Sequence, residues 1–152
     1  MGKFRRSCVI TAFAVVSMAL SHAAAFEGAV AEVRNLGQPG AFAIEASPSG
    51  ASLEKQGRIE QHTAAGWKPV FDGFSLVVDC DAATALPACV RLAPGAVLRP
   101  VPWNGYTCSG QCPRSCKKNV YRPPGTFRLV LTVCGEDARV VGAPFVMTKA
   151  KP

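Results

Sequence analysis

Apolar and polar residues alternate in short runs along this chain, which is the pattern of half-buried β-strands. The strongest run places Phe127, Leu129, Leu131 and Val133 on one face of a predicted strand. A second clear run covers residues 74–78. No stretch keeps apolar residues three and four positions apart over the dozen or so residues that a helix needs. The pattern therefore predicts strands and little helix.

Weaker runs, bounded by glycine and proline, complete an all-β prediction. The further predicted strands are 28–33, 41–44, 53–61, 66–70, 90–92 and 138–141. The 53–61 run is mostly polar, so we expect it at a sheet edge or facing solvent. The 138–141 run follows a tight turn at 135–137 and predicts a hairpin with the strand before it. About seven short strands at intervals of 8–12 residues are typical of a small antiparallel sandwich of the immunoglobulin-like kind, with a small β-barrel as the alternative.

The first 25 residues have the three parts of an export signal. A basic start is followed by an apolar run from Cys8 to Leu20 and then by small residues. Cleavage is expected after Ala25, with a cut after Ala23 as the alternative. The apolar run is too short to span a bilayer, which takes about 20 residues. The sequence thus predicts cleavage of residues 1–25, no stable membrane span, and a secreted or periplasmic single domain at 26–152.

Removing this leader lowers the charge of the chain. The full chain has 17 Lys and Arg against 10 Asp and Glu, and three of the basic residues lie in the leader. The remaining balance is 14 basic against 10 acidic residues, so nucleic acid is not an expected partner. The oligomeric state is not encoded in any pattern of the sequence.

Six of the seven cysteines lie in the C-terminal half, which predicts a framework of three disulfides in an oxidising compartment. Cys80 and Cys89 flank a loop between two predicted strands, and we expect this pair to be bonded. Cys134 is then expected to bond with one of Cys108, Cys112 and Cys116, and the other two with each other. All three of these pairings stay open.

A metal site is the competing interpretation of the last four cysteines. Four thiolates suit zinc, but their spacing departs from the usual pairs two to four residues apart. Copper and c-type haem need histidine ligands, and His62 is the one histidine outside the leader. The sequence thus predicts no metal and no cofactor.

Candidate catalytic groups are few. His62 lies in a polar segment, and Asp79 and Asp81 flank Cys80. Paired carboxylates can do acid–base work, although residues of this kind commonly face water and cap turns. No Gly-x-Ser-x-Gly motif occurs. We expect no enzymatic activity, and an enzyme that uses Asp79, Asp81 or His62 is the third hypothesis.

The cysteine-rich segment 103–122 has the composition of a recognition surface. Prolines at 100 and 102 stiffen the chain before it, and rigid Trp, Tyr and Arg side chains are typical of binding surfaces. The alternative is that Trp103 caps the open end of the sandwich while the basic residues only solvate the loop. The candidate recognition residues are Pro102, Trp103, Tyr106, Arg114, Lys117, Lys118, Tyr121 and Arg122.

Four segments resemble a family of small exported bacterial proteins with an immunoglobulin-like sandwich. They are Gly66-Trp67-Lys68-Pro69, 89–95, 100–103 and 125–130, and the likeness extends over about Ala41 to Met147. This resemblance implies fold and export but no reaction. The leading hypothesis is a non-enzymatic binding or accessory domain with a protein or cell-envelope partner. The alternative is an inhibitor of an extracellular hydrolase that acts through Pro100 to Cys116.

Overall fold

Ten β-strands make up the regular structure in the part of the chain that the computed structural model describes, residues 28–81, 86–112, 116–122 and 124–148. The predicted leader lies outside these residues. No helix within them is long and apolar enough to cross a membrane. The strands are β1 Ala31–Asn35, β2 Phe42–Ala46, β3 Ala51–Glu54, β4 Gln56–Thr63, β5 Gly66–Ser75, β6 Cys89–Leu92, β7 Val97–Leu98, β8 Gly125–Thr132, β9 Arg139–Val141 and β10 Phe145–Met147.

All strand pairs are antiparallel and form three sheets. One sheet has the order β1-β2-β7, and a second has the order β10-β8-β4-β5. Strand β9 also pairs with β8, and β3 and β6 form a small third sheet. The described elements are all strands, which confirms the all-β prediction. The sheets do not close into a barrel, so the barrel alternative is wrong.

The core lies between the first two sheets. Phe42 on β2 meets Phe74 and Phe145 with ring centroids 5.5 and 5.3 Å apart, in edge-to-face contacts. Val33 on β1 packs over Gly142, where an added methyl group would lie only 2.9 Å from the valine side chain. The largest fully buried side chains are Trp103, Phe42, Phe74, Phe127, Ile44, Leu53, Ile59, Leu76, Leu129 and Leu131.

A long ribbon carries the chain from the first sheet to the third. Strand β2 pairs with β7, and strand β3 pairs with β6. Between these two strand pairs, the amide of Ala46 donates to the carbonyl of Ala96 at 2.9 Å. An isolated bridge between Leu53 and Val133 then joins β3 to the end of β8. This ribbon brings the cysteine at the end of β8 close to β3 and β6.

The clearest strand prediction, at 127–133, is confirmed, whereas the predicted strand at 74–78 is wrong beyond Ser75, where β5 ends. The apolar face of residues 127, 129, 131 and 133 is buried, and β8 and β9 form the predicted hairpin. The prediction for 53–61 is wrong. That run bends at Lys55 into β3 and β4, and β4 lies between β5 and β8. The polar pattern gave the wrong position because Glu60, although charged, is buried in an ion pair with Arg128.

The central position of β8 predicts a large cost for removing Leu129, which is fully buried. Leu129→Ala should lower the free energy of unfolding by about 2–5 kcal/mol, because it removes packed methyl groups and leaves a cavity. Val141→Ala on the neighbouring strand is the control, since Val141 is 50% exposed, and should change stability by about 0.5 kcal/mol or less. Urea unfolding curves measure both values. Equal costs for the two variants would contradict the placement of β8.

Candidate functional site

Three disulfides connect the six cysteines of the described part, as the sequence predicts, but the pairing differs. Cys80 bonds to Cys112, Cys89 to Cys134, and Cys108 to Cys116. The expected bond between Cys80 and Cys89 is wrong, and so is a bond from Cys134 into the 108–116 loop. The expected bond within that loop is found.

The fold explains why Cys89 reaches Cys134. Glu54 on β3 pairs with Cys89, and the amide of Cys134 donates to the carbonyl of Ser52 at 2.9 Å. Both cysteines therefore lie beside β3, with Cα atoms 5.9 Å apart, although 45 residues separate them in sequence. Because all four cysteines of the proposed zinc set are in disulfides, that alternative is wrong. The described residues contain no group of three or more His, Cys, Asp or Glu that could hold a metal ion.

Residues 103–122 are here called the cysteine loop, and its described parts, 103–112 and 116–122, pair with each other in a short ladder. The amide of Thr107 donates to the carbonyl of Val120 at 3.0 Å, and the amide of Arg122 donates to the carbonyl of Gly105 at 2.9 Å. The hydroxyl of Thr107 also donates to the carbonyl of Lys118 at 2.8 Å. The ladder and the bond between Cys108 and Cys116 fix the two arms of the loop against each other.

Trp103 attaches the cysteine loop to the core. Its side chain is 1% exposed and packs edge-to-face on Phe127 and Phe145, with ring centroids 5.0 and 6.2 Å apart. Its backbone amide donates to the carbonyl of Gly40 at 2.8 Å, and its Nε1 donates to the carbonyl of Tyr106 at 3.1 Å. A side chain at Gly40 would overlap the Trp103 carbonyl, and the positive φ of 77° also favours glycine. Trp103 is thus a core residue, as the capping alternative states, and its ring is not part of the surface.

The other candidate recognition residues differ in exposure. Pro102, Lys117 and Lys118 are exposed, and Tyr106, Tyr121 and Arg122 are half-buried. Arg114 lies outside the described residues. The structure thus places Tyr106 against Tyr121 and holds Lys118 and Arg122 in the same backbone ladder.

Two tyrosines form the base of this surface. Tyr106 and Tyr121 are bridge partners, with ring centroids 5.1 Å apart. The Tyr121 ring lies directly over Gly105, where an added methyl group would be 2.9 Å from the ring. The Oη of Tyr121 and the Nε of Arg122 are buried and have no hydrogen-bond partner in the structure.

One open groove borders the cysteine loop, and another lies beside the segment that precedes it. One, of about 350 Å³, is lined partly by Lys55, Asp79, Gln111 and Cys112. Another, of about 400 Å³, is lined partly by Leu36, Phe42, Arg99, Pro100 and Pro102.

The three candidate catalytic residues are not brought together. His62 lies beside the β4–β5 turn and contacts Trp67, with ring centroids 5.0 Å apart. Asp79 and Asp81 follow the other end of β5, where Asp79 Oδ1 accepts a hydrogen bond from the amide of Asp81 at 3.1 Å. The strand between them spans roughly 25 Å at about 3.3 Å per residue. This separation exceeds the reach of any shared proton-transfer step.

Sequence reasoning missed a charged cluster on the outer face of the second sheet. Glu60 Oε2 accepts hydrogen bonds from Arg128 Nε and Nη2 at 2.8 and 2.7 Å. The guanidinium also lies 4.3 Å from the centre of the Trp67 ring, a cation–π contact. The pairing of Glu60 with Arg128 follows from the β4–β8 register, which the sequence alone did not provide.

Comparisons with protein-family models, with curated proteins and with solved structures find no match to this chain. The functional interpretation therefore depends on the residues and geometry of the chain itself.

Digestion without reduction tests the disulfide pairing. Trypsin cuts after Arg58 and Arg91 but not before Pro69, so one peptide, 59–91, carries both Cys80 and Cys89. We expect mass spectrometry to find this peptide bonded to peptides that contain Cys112 and Cys134. Release of peptide 59–91 alone, with its two cysteines bonded to each other, would contradict the structure.

The outer-face cluster predicts that breaking two different ion pairs of this sheet lowers the free energy of unfolding by different amounts. Glu60→Gln should lower the free energy of unfolding by about 1–3 kcal/mol, because it leaves the half-buried guanidinium of Arg128 without its counterion. Asp72→Asn removes the partner of Arg58 in an exposed pair, whose side chains are 69% and 42% accessible, and should cost less than about 1 kcal/mol. Thermal unfolding monitored by circular dichroism compares the two. A larger loss for Asp72→Asn would refute this assignment.

Proposed function

We propose that this chain is an exported, non-enzymatic binding domain that engages its target through the cysteine loop. The structure establishes a small all-β fold with three disulfides. The further step to binding depends on one observation: two disulfides, a short backbone ladder and the buried Trp103 hold the described residues of the loop to the rest of the fold.

Two disulfides and one buried side chain hold the loop in place. The bond between Cys80 and Cys112 ties the loop to the segment after β5, and the bond between Cys108 and Cys116 closes it. Trp103 anchors its start in the core. A surface that is ordered beforehand loses less entropy on docking, and each side chain that must be immobilised costs about 0.5–1.5 kcal/mol. This arrangement supports recognition better than a mobile loop would.

Export and the lack of catalysis have separate support. The predicted leader and the three disulfides both suit an oxidising compartment outside the cytosol. His62 lies too far from Asp79 and Asp81 to share a proton-transfer step with them, which supports a non-enzymatic role. The resemblance to exported bacterial proteins with an immunoglobulin-like sandwich agrees with this proposal.

A second candidate function is inhibition of an extracellular hydrolase through Pro100 to Cys116. The observation that favours it is the exposure pattern before the loop. Val101 is 52% exposed and Pro102 is exposed, while Pro100 and Trp103 on either side are buried. An extended segment anchored at both ends could enter a cleft without being cut quickly.

Site-specific photo-crosslinking tests the binding proposal. A photoreactive amino acid replaces Lys118 on the loop, and in a control protein it replaces Ala64, which is exposed in the β4–β5 turn. In the cell-envelope fraction of the organism that carries the gene, we expect a discrete adduct from position 118 and none from position 64. If the adduct contains a hydrolase whose activity falls on addition of the protein, the inhibitor form of the proposal is correct.

Two outcomes would contradict the proposal. One is the absence of any adduct from position 118, and the other is the same set of adducts from both positions. Turnover of a substrate by the wild-type protein, lost in the His62→Ala variant, would instead restore the enzyme hypothesis.

A further inference from the structure

We infer that the partner of the cysteine loop is an acidic polypeptide segment, an inference that depends on the proposed binding function. The first observation is the distribution of charge along the chain. Residues 82–135 contain no Asp or Glu at all. The same stretch contains seven basic residues, which are Arg91, Arg99, Arg114, Lys117, Lys118, Arg122 and Arg128.

The cations of the loop have no internal counterion in the described part of the chain. The ion pairs of the described residues join Arg34 to Glu45, Arg58 to Asp72 and Arg128 to Glu60. Their acidic members all lie outside residues 82–135. Lys117, Lys118 and Arg122 form no ion pair among the described residues, so their positive field extends outward.

The ladder holds the described cations of the loop in one short segment. It places Arg122 next to Gly105, and Lys118 next to Thr107. Lys117 and Lys118 are exposed, so their ammonium groups are open to a partner. A carboxylate accepts hydrogen bonds from an ammonium group, and charge-assisted hydrogen bonds of this kind are stronger than neutral ones. Side-chain carboxylates of a partner would pair with these two lysines.

The surroundings of the loop favour a short acidic segment over a lipid surface or a long polyanion. Peripheral membrane binding combines inserted apolar side chains with attraction of basic residues to anionic lipids, and the exposed Asn119 beside the two lysines supplies no apolar side chain for insertion. Asp79 and Asp81 flank Cys80, which is bonded to Cys112 of the loop. These carboxylates end the positive surface on that side and would repel a polyanion that continued past it.

Biolayer interferometry with immobilised poly-L-glutamate tests this inference. The wild-type protein is compared with Lys117→Glu/Lys118→Glu on the loop and with Lys68→Glu/Arg91→Glu on β5 and β6. All four positions are exposed and both variants change the net charge equally. We expect the wild type to bind, the loop variant to bind at least about tenfold more weakly, and the control to stay within about threefold, because close charges dominate the attraction. Unchanged melting temperatures show that both variants are folded.

Three results would overturn the inference. Equal weakening of both variants would mean that net charge alone drives binding. No binding by the wild type, or tighter binding to heparin or to phosphatidylglycerol vesicles than to poly-L-glutamate, would mean that the partner is of another class. If the adduct from position 118 persists in any of these cases, the proposed function stands and only this inference is lost. If the adduct is also absent, both are lost.

Discussion

The burial of Trp103 is the constraint on which the rest of the arrangement depends. This one side chain contacts Phe127 and Phe145 of the larger sheet, and its backbone amide binds the turn between β1 and β2 at Gly40. Its indole nitrogen also binds the carbonyl of Tyr106 in the cysteine loop. Burying an aromatic ring of this size contributes on the order of 2–3 kcal/mol, and both of its polar hydrogens have acceptors. The sandwich and the loop are therefore joined through a single packed residue, and not by crosslinks alone.

The molecule uses different means of stabilisation in its two parts. The sheets bury a continuous apolar core, whereas the cysteine loop has few apolar residues to bury and depends on disulfides and a short ladder. The disulfides lower the entropy of the unfolded chain, which compensates for the missing core in that region. A loop held in this way can present polar and charged side chains without losing its shape. This division explains how a basic surface can be rigid.

Part of this structure could be predicted from the sequence. The alternation around Phe127 and Phe74 predicts buried strands because a half-buried strand repeats every two residues. The edge position predicted for 53–61 fails because Glu60 reaches its counterion, Arg128, only through long-range pairing. The predicted disulfide pairing is wrong for the same reason, because Cys89 and Cys134 are 45 residues apart in sequence and meet only beside β3. Composition marks the loop as rich in cysteine and basic residues, but whether an aromatic residue such as Trp103 faces solvent or the core is decided by tertiary packing.

The central claim is that the cysteine loop is ordered on the sandwich before any partner binds. Amide hydrogen exchange of the free, oxidised protein tests it most directly, since the amides of Thr107, Val120 and Arg122 donate within the loop. The account predicts that these three amides exchange much more slowly than an unstructured peptide and approach the protection of the β8 amides. Exchange at unstructured rates for all three, while β8 stays protected, would contradict it.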